Sequence, residues 1–221
     1  MDKLLITIDG PAGAGKTTVS RALADRLGYR YIDTGALYRA VALAAKSRGT
    51  NTENDAELKG LCAELELAFV TVETELRLLL NGEDITDQIR TAEITMLASA
   101  ISARPVVRKY LLDLQRHLGK EKAAVFEGRD MGTVVFPDAD LKFFLNATSR
   151  TRALRRYDEI KSQSTQTLEE VDQDIQRRDH NDSTRELAPL KPAQDAIVID
   201  STDLSVAEVV ELMVTHIVDS R

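Results

Sequence analysis

The chain is poor in the residues that build metal and redox centres: it has a single cysteine, Cys62, and three scattered histidines, His117, His180 and His216. One cysteine forms no internal disulfide, and the histidines lack metal-ligand spacing, so a disulfide scaffold and a structural zinc site are both excluded. No window approaches the roughly 18 consecutive apolar residues of a membrane span. The opening MDKLLITIDG has too short an apolar run for a secretory signal, and the expected location is the cytoplasm, with no membrane partner. Basic charge is also in deficit. A formal net charge of -7 argues against broad nucleic-acid binding, so any polyanionic partner is small and met by locally clustered arginines.

What is present is enough apolar sequence, 43% of residues, for one substantial core. Leu4 to Ile8 is a short apolar, β-branched run, and Lys16 to Leu27 carries Val19, Leu23 and Leu27 at helical spacing. A second strand is expected at 29–32, then a turn at Asp33-Thr34-Gly35 and a helix from Ala36 to Lys46. Strand alternating with helix implies a parallel sheet, with core strands expected at 3–8, 29–32, 123–127, 141–145 and 196–199. Residues 65–90 break the rhythm. LELAFVTV and LRLLL flank Glu73-Thr74-Glu75, and Asn81-Gly82 signals a tight turn before EDIT, so a small antiparallel meander is expected; the alternative is an extended edge of the main sheet. Helical spacing returns from Thr91 to Leu118, interrupted by Pro105.

Gly10-Pro11-Ala12-Gly13-Ala14-Gly15-Lys16-Thr17 fits the phosphate-loop pattern G-x-x-x-x-G-K-[ST], after an expected strand and opening an expected helix. Glycines permit close approach, successive backbone N–H groups form an anion nest, and the helix adds its positive dipole end. Residues Gly10 to Thr18 are therefore the expected cradle for a nucleotide, with Lys16 on its β- and γ-phosphates and the Thr17 hydroxyl on Mg²⁺. The loop alone leaves GTPases, ATPases and kinases open. The N-K-x-D base-reading motif of a GTPase is missing, and a large ATPase brings a longer chain, which leaves a kinase.

A second substrate should leave marks of its own, and three segments supply them: DTGALYR at 33–39, EGRDMGTVVFPDA at 127–139 and RDHNDSTR at 178–185. With the loop, they make the sequence resemble the bacterial cytidylate kinases of the nucleoside monophosphate kinase family, from the loop to IDST at 199–202. The resemblance implies a P-loop α/β fold of three layers: a five-stranded parallel core sheet, an acceptor-binding region carrying the antiparallel insert, and a helical lid. It divides the chain into a core (1–33, 105–145 and 183–221), an acceptor region (34–104, with the meander at 65–90) and a lid with its adjoining arginine-rich segment (146–182).

By the same resemblance, Thr34, Arg39 and Arg129 hold the phosphate of the acceptor, CMP or dCMP, and Ser99, Arg108 and Asp130 read its base. The chemistry agrees with that assignment. Cytosine accepts at N3 and O2 and donates at N4, so an arginine and a carboxylate fit it, whereas uracil would set its O4 against the carboxylate. Asp182 and Arg185 match positions on the sugar, and Arg178 one near the transferring phosphate. Arg152, Arg155 and Arg156 fall three and four residues apart in the lid, where Arg155 and Arg156 are the candidates for ATP. Family members commonly have aspartate where this chain has Glu127; Thr17 is the metal ligand assigned. The resemblance implies a monomer that phosphorylates CMP or dCMP with ATP and Mg²⁺. A related kinase for another monophosphate or a small hydroxyl substrate, and a nucleotide-hydrolysing regulatory protein, are the competing readings.

Overall fold

The computed structural model describes residues 3–73, 75–162 and 164–219. Thr74, in the linker read between two strands, lies outside them, as do the first and last residues of the expected core. The chain divides into two compact units, one of Met1–Ile32 with Gly119–Arg221 and the other of Asp33–Leu118.

The first unit is built on a five-stranded sheet of order β2-β6-β1-β7-β8, from β1 (Leu5–Asp9), β2 (Arg30–Asp33), β6 (Ala124–Gly128), β7 (Leu141–Asn146) and β8 (Ile197–Asp200). These are the five strands expected, each ending one residue later. β1 is buried along its whole length, as a strand covered on both faces must be, which is why it reads as a continuous apolar run. It pairs in parallel with β6, Leu5 opposite Ala124 through Asp9 opposite Gly128, and in parallel with β7 on its other side. The chain therefore leaves β1 and β6 at the same edge, and the segments after Asp9 and Gly128 start side by side. In parallel sheets that edge is where ligands bind.

Helix α1 (Lys16–Leu27) buries Val19 and Leu23 against Ile6, Ile8, Val125 and Phe143, with Val209, Met213 and Ile217 of α8 (Val206–Asp219) in the same cluster. Between β7 and β8 lie α6 (Ser149–Ile160) and α7 (Leu168–Thr184), which share a small core of Ala153, Val171 and Ile175. Thr148 caps α6 through the Thr151 N–H, and Thr167 with Glu170 forms a capping box on α7.

The second unit packs α2 (Thr34–Arg48), α3 (Asp55–Ala63), α4 (Ala92–Ile101) and most of α5 (Pro105–Gly119) around Leu37, Val41, Leu58, Ile101 and Leu111. Residues 105–118, assigned above to the core, belong here, because Val107 and Leu111 are buried in this cluster. The expected turn at Asp33-Thr34-Gly35 is the start of α2. Asp33 accepts the Ala36 N–H as N-cap, so the helix begins two residues before Ala36. α3 was not anticipated at all. The meander forms a separate sheet of β3 (Leu67–Val72), β4 (Glu75–Leu80) and β5 (Glu83–Asp84), so the edge-strand alternative is excluded. Leu67, Phe69, Leu78 and Leu80 share its inner face and pack on the unit's core. Asn81 and Gly82, at φ 50° and 85°, make the expected hairpin turn.

Gly10, directly after β1, has φ 150°, and a Cβ there would lie 2.0 Å from the Leu145 carbonyl oxygen of β7. Neither the backbone conformation nor the space admits a side chain. Gly10→Ala is expected to destabilise the protein by about 2–4 kcal/mol in urea unfolding, the range for a strained backbone combined with a core clash.

Candidate active site

The loop after β1 turns into α1 at Gly15, leaving the first-turn N–H groups of that helix at the edge of the sheet. Lys16 is buried, and its Nζ donates to the Pro11 carbonyl at 2.6 Å, folding the side chain back over the loop. Burial lowers its pKa well below the usual lysine value, and the positive charges of Arg129 and Arg178 push it the same way. These three cations are gathered in one place. A polyanion placed there would relieve both their repulsion and their desolvation.

The carboxylates around them fall into two pairs. Arg129 Nε donates to Asp182 Oδ2 at 2.8 Å, and Arg185 Nη2 donates to Asp130 Oδ1 at 3.2 Å. Burial opposes the charge on Asp182, but Arg129, with help from Arg178 and Arg185, holds its carboxyl below the ordinary carboxylate range. Arg129, Asp130, Asp182 and Arg185, distant in sequence, are thus brought together, with Arg178 on the same helix as Asp182.

Glu127 ends in a different environment. Its Oε1 accepts from the Thr17 hydroxyl at 2.7 Å and its Oε2 from the Tyr31 hydroxyl at 2.6 Å, while the Arg21 guanidinium lies 5.2 Å from the Tyr31 ring centre. Among the described residues no group of three or more His, Cys, Asp or Glu side chains could hold a metal. A hydroxyl and a carboxylate are, however, the hard oxygen donors that suit Mg²⁺ when a nucleotide and water complete its shell. Thr18 is exposed on the first turn of α1.

Of the lid arginines, Arg155 donates to the Ser201 carbonyl at 2.6 Å and to its hydroxyl at 3.0 Å, and lies against Ala14 of the loop. Arg156 is half-buried and pairs with Glu159 at 3.0 Å. Arg152, by contrast, is buried and donates to the Ala12 and Ala147 carbonyls.

In the second unit, Thr34 is buried in the first turn of α2, and Arg39 Nη2 donates to Asp33 Oδ2 at 2.6 Å. The buried Nε of Arg39 and Oγ of Ser99 have no hydrogen-bond partner among the described residues. Arg108 donates to the Ser102 carbonyl at 3.2 Å and stands 5.9 Å from the Tyr38 ring centre.

Sequence reasoning passed over Asp9, Tyr31 and Asp179. Asp9 is fully enclosed at the end of β1 and accepts the Met131 N–H at 2.9 Å and the Gly132 N–H at 2.8 Å. It thereby pins the π-helical segment Met131–Val135 that follows Asp130. Such segments recur at functional sites. Burial raises the Asp9 pKa from 3.8 to about 6, against the lowering effect of its two N–H donors. The folded protein therefore keeps a proton that the unfolded chain releases, and its stability falls as pH rises from 3.8 to about 6. The expected loss is about 3 kcal/mol across that window, with Asp9→Asn removing the slope in urea unfolding at stepped pH.

Comparison with known proteins places this geometry. The family model described as cytidylate kinase matches residues 6–219. A cytidylate kinase of Geobacter sulfurreducens is 56% identical over 95% of this chain and 91% of its own length, and one of Syntrophotalea carbinolica is 47% identical over 99% and 94%. Among solved structures, an uncharacterized protein from Eubacterium ventriosum aligns with a TM-score of 0.54 at 13% identity, covering 99% of this chain and 100% of that one. Shikimate kinase from Acinetobacter baumannii, in complex with shikimate, aligns at 0.50 and 15%, covering 99% and 95%. At those identities the two structures share the fold alone. Matched by the family model over nearly its whole length and closely similar to its members, the chain belongs to the cytidylate kinase family.

Proposed function

We propose that the protein transfers the γ-phosphoryl group of ATP to CMP or dCMP, giving ADP and CDP or dCDP. The observation that carries this reading is the cluster of Lys16, Arg129 and Arg178 beside the phosphate loop, in a chain whose net charge is -7. Positive side chains are thus brought together beside the phosphate loop, where two phosphorylated substrates would meet.

The acceptor phosphate is already ionised near neutral pH, so the reaction needs alignment and charge neutralisation in place of a general base. Lys16 and the loop N–H groups take the ATP phosphates, and Arg129 and Arg178 take the negative charge of the group in transfer. Thr17 would hold Mg²⁺, with Glu127 orienting the Thr17 hydroxyl and the metal's water; the ion supplies charge neutralisation between the phosphates when bound. Thr34, Arg39 and Arg129 bind the acceptor phosphate, Asp182 and Arg185 its sugar, and Ser99, Arg108 and Asp130 its base. The unsatisfied Ser99 Oγ and Arg39 Nε support these roles, since each is a buried polar atom awaiting a partner. Residues 146–182 serve as the lid, with Arg155 and Arg156 toward ATP. Arg155, anchored on Ser201 and Ala14, acts from a fixed position. The enzyme works as a cytoplasmic monomer on small nucleotides, without a nucleic-acid partner; no described helix is long and apolar enough to cross a membrane.

Coupled turnover of ATP with CMP, UMP, AMP and shikimate tests the reading, with CMP expected to be the preferred acceptor. Preference for another acceptor, or ATP hydrolysis that ignores all four, would overturn it. Asp130→Ala should lower the preference for CMP over UMP by about tenfold or more, the worth of a buried carboxylate left facing the wrong group. Unchanged selectivity would remove Asp130 from base recognition.

A further inference from the structure

Ala12 of the phosphate loop is held by both of its backbone polar groups. Its N–H donates to Oδ1 of Asp179, on α7, at 3.1 Å, and its carbonyl accepts from Nη1 of Arg152, on α6, at 2.9 Å. The same arginine nitrogen also donates to Asp179 Oδ2, which closes a ring through Ala12, Asp179 and Arg152. Arg152 is fixed from behind by its Nε, which donates to the Ala147 carbonyl at 3.0 Å. At the next residue the two backbones touch: a Cβ on Gly13 would lie 2.7 Å from the Arg152 carbonyl oxygen. Both charged partners are largely enclosed, at 10% and 21% side-chain exposure, so neither is a solvated surface charge.

The ring has a directional consequence. The Ala12 N–H faces a carboxylate, so it does not offer itself to a phosphate, and the cradle read from the motif begins at Gly13. The N–H groups from Gly13 onward keep their aim only if the peptide before them is immobile. Two charge-assisted hydrogen bonds, one buried and one partly so, provide that from one side, while Gly10 against Leu145 provides it from the other. We propose that Asp179, acting with Arg152, is a positioning residue for ATP: from helices α7 and α6 it fixes the phosphate loop at Ala12 and so preorganises the donor-phosphate site.

The inference rests on the ATP reading of the loop, and its test measures ATP binding directly, without acceptor. A wrong acceptor assignment would leave that measurement intact, so the two failures are distinguishable. Three variants of the full chain are compared: Asp179→Ala, which removes both contacts; Asp179→Asn, which keeps an oxygen for the Ala12 N–H but loses the charge on Arg152; and Arg152→Met, which keeps the apolar stem. Calorimetry should show ATP bound about tenfold more weakly by Asp179→Ala, as expected when a buried charged partner is lost, with CMP binding changed by less than about twofold. Hydrogen exchange of the peptide spanning the loop should accelerate in Asp179→Ala and less in Asp179→Asn. The double variant Asp179→Ala/Arg152→Met should bind ATP no more weakly than the worse single one, because the ring acts as a unit. Unaltered ATP affinity in a folded Asp179→Ala protein, or equal losses for ATP and CMP, would overturn the proposal. Should Asp179→Ala fail to fold by thermal melting, Asp179→Asn decides: ATP affinity equal to that of the unaltered protein would overturn it equally.

Discussion

The parallel pairing of β1 with β6 is the constraint on which the rest of the site depends. With Asp9 opposite Gly128, two loops start from adjacent strand ends, one carrying Lys16 and the other Arg129 and Asp130. Asp9 makes that adjacency rigid. Its carboxylate, enclosed and costly to ionise, accepts two N–H groups from the segment after Asp130, so the arginine-bearing turn is held by the strand that launches the phosphate loop. A one-residue slip in the pairing would move Asp9 away from both donors.

Around that joint, the molecule matches its clustered cations with internal acceptors. Arg129 rests on Asp182, Arg185 on Asp130, and Lys16 on the Pro11 carbonyl. In the second unit Arg39 rests on Asp33 in the same way. Buried guanidinium groups without partners would be expensive, and these pairs hold them in fixed orientations. An acidic protein thus gathers several cations at its strand ends, each held beside a carboxylate or a carbonyl.

Legibility in the sequence followed the range of the interaction. The five core strands, α1 and the antiparallel hairpin were readable because each is set by a local pattern: a buried β-branched run, apolar residues at helical spacing, or the Asn81-Gly82 turn signal after an apolar strand. Helix α3 escaped because its Asn54 cap and three buried residues, Leu58, Leu61 and Cys62, make a faint pattern in a polar stretch. The placement of 105–118 depended on which core Val107 and Leu111 enter, and helical spacing alone does not say which. Within the site, Lys16, Thr17 and Arg129 announced themselves through motifs. Asp9, Tyr31 and Asp179 did not, since an aspartate or tyrosine gains its role only from the backbone N–H or side chain it meets more than sixty residues away.

The sequence by itself therefore determined the local patterns: a glycine-rich loop of phosphate-binding spacing set between a strand and a helix, and arginines grouped in a few short segments. Those are properties of residue type and short spacing, which need no knowledge of the fold. Tertiary structure alone decided which carboxylate each cation would meet, that Ala12 is clamped by Asp179 and Arg152, and that Asp9 stays protonated up to about pH 6. Burial and long-range pairing set those outcomes, and both arise only once strands remote in sequence lie side by side.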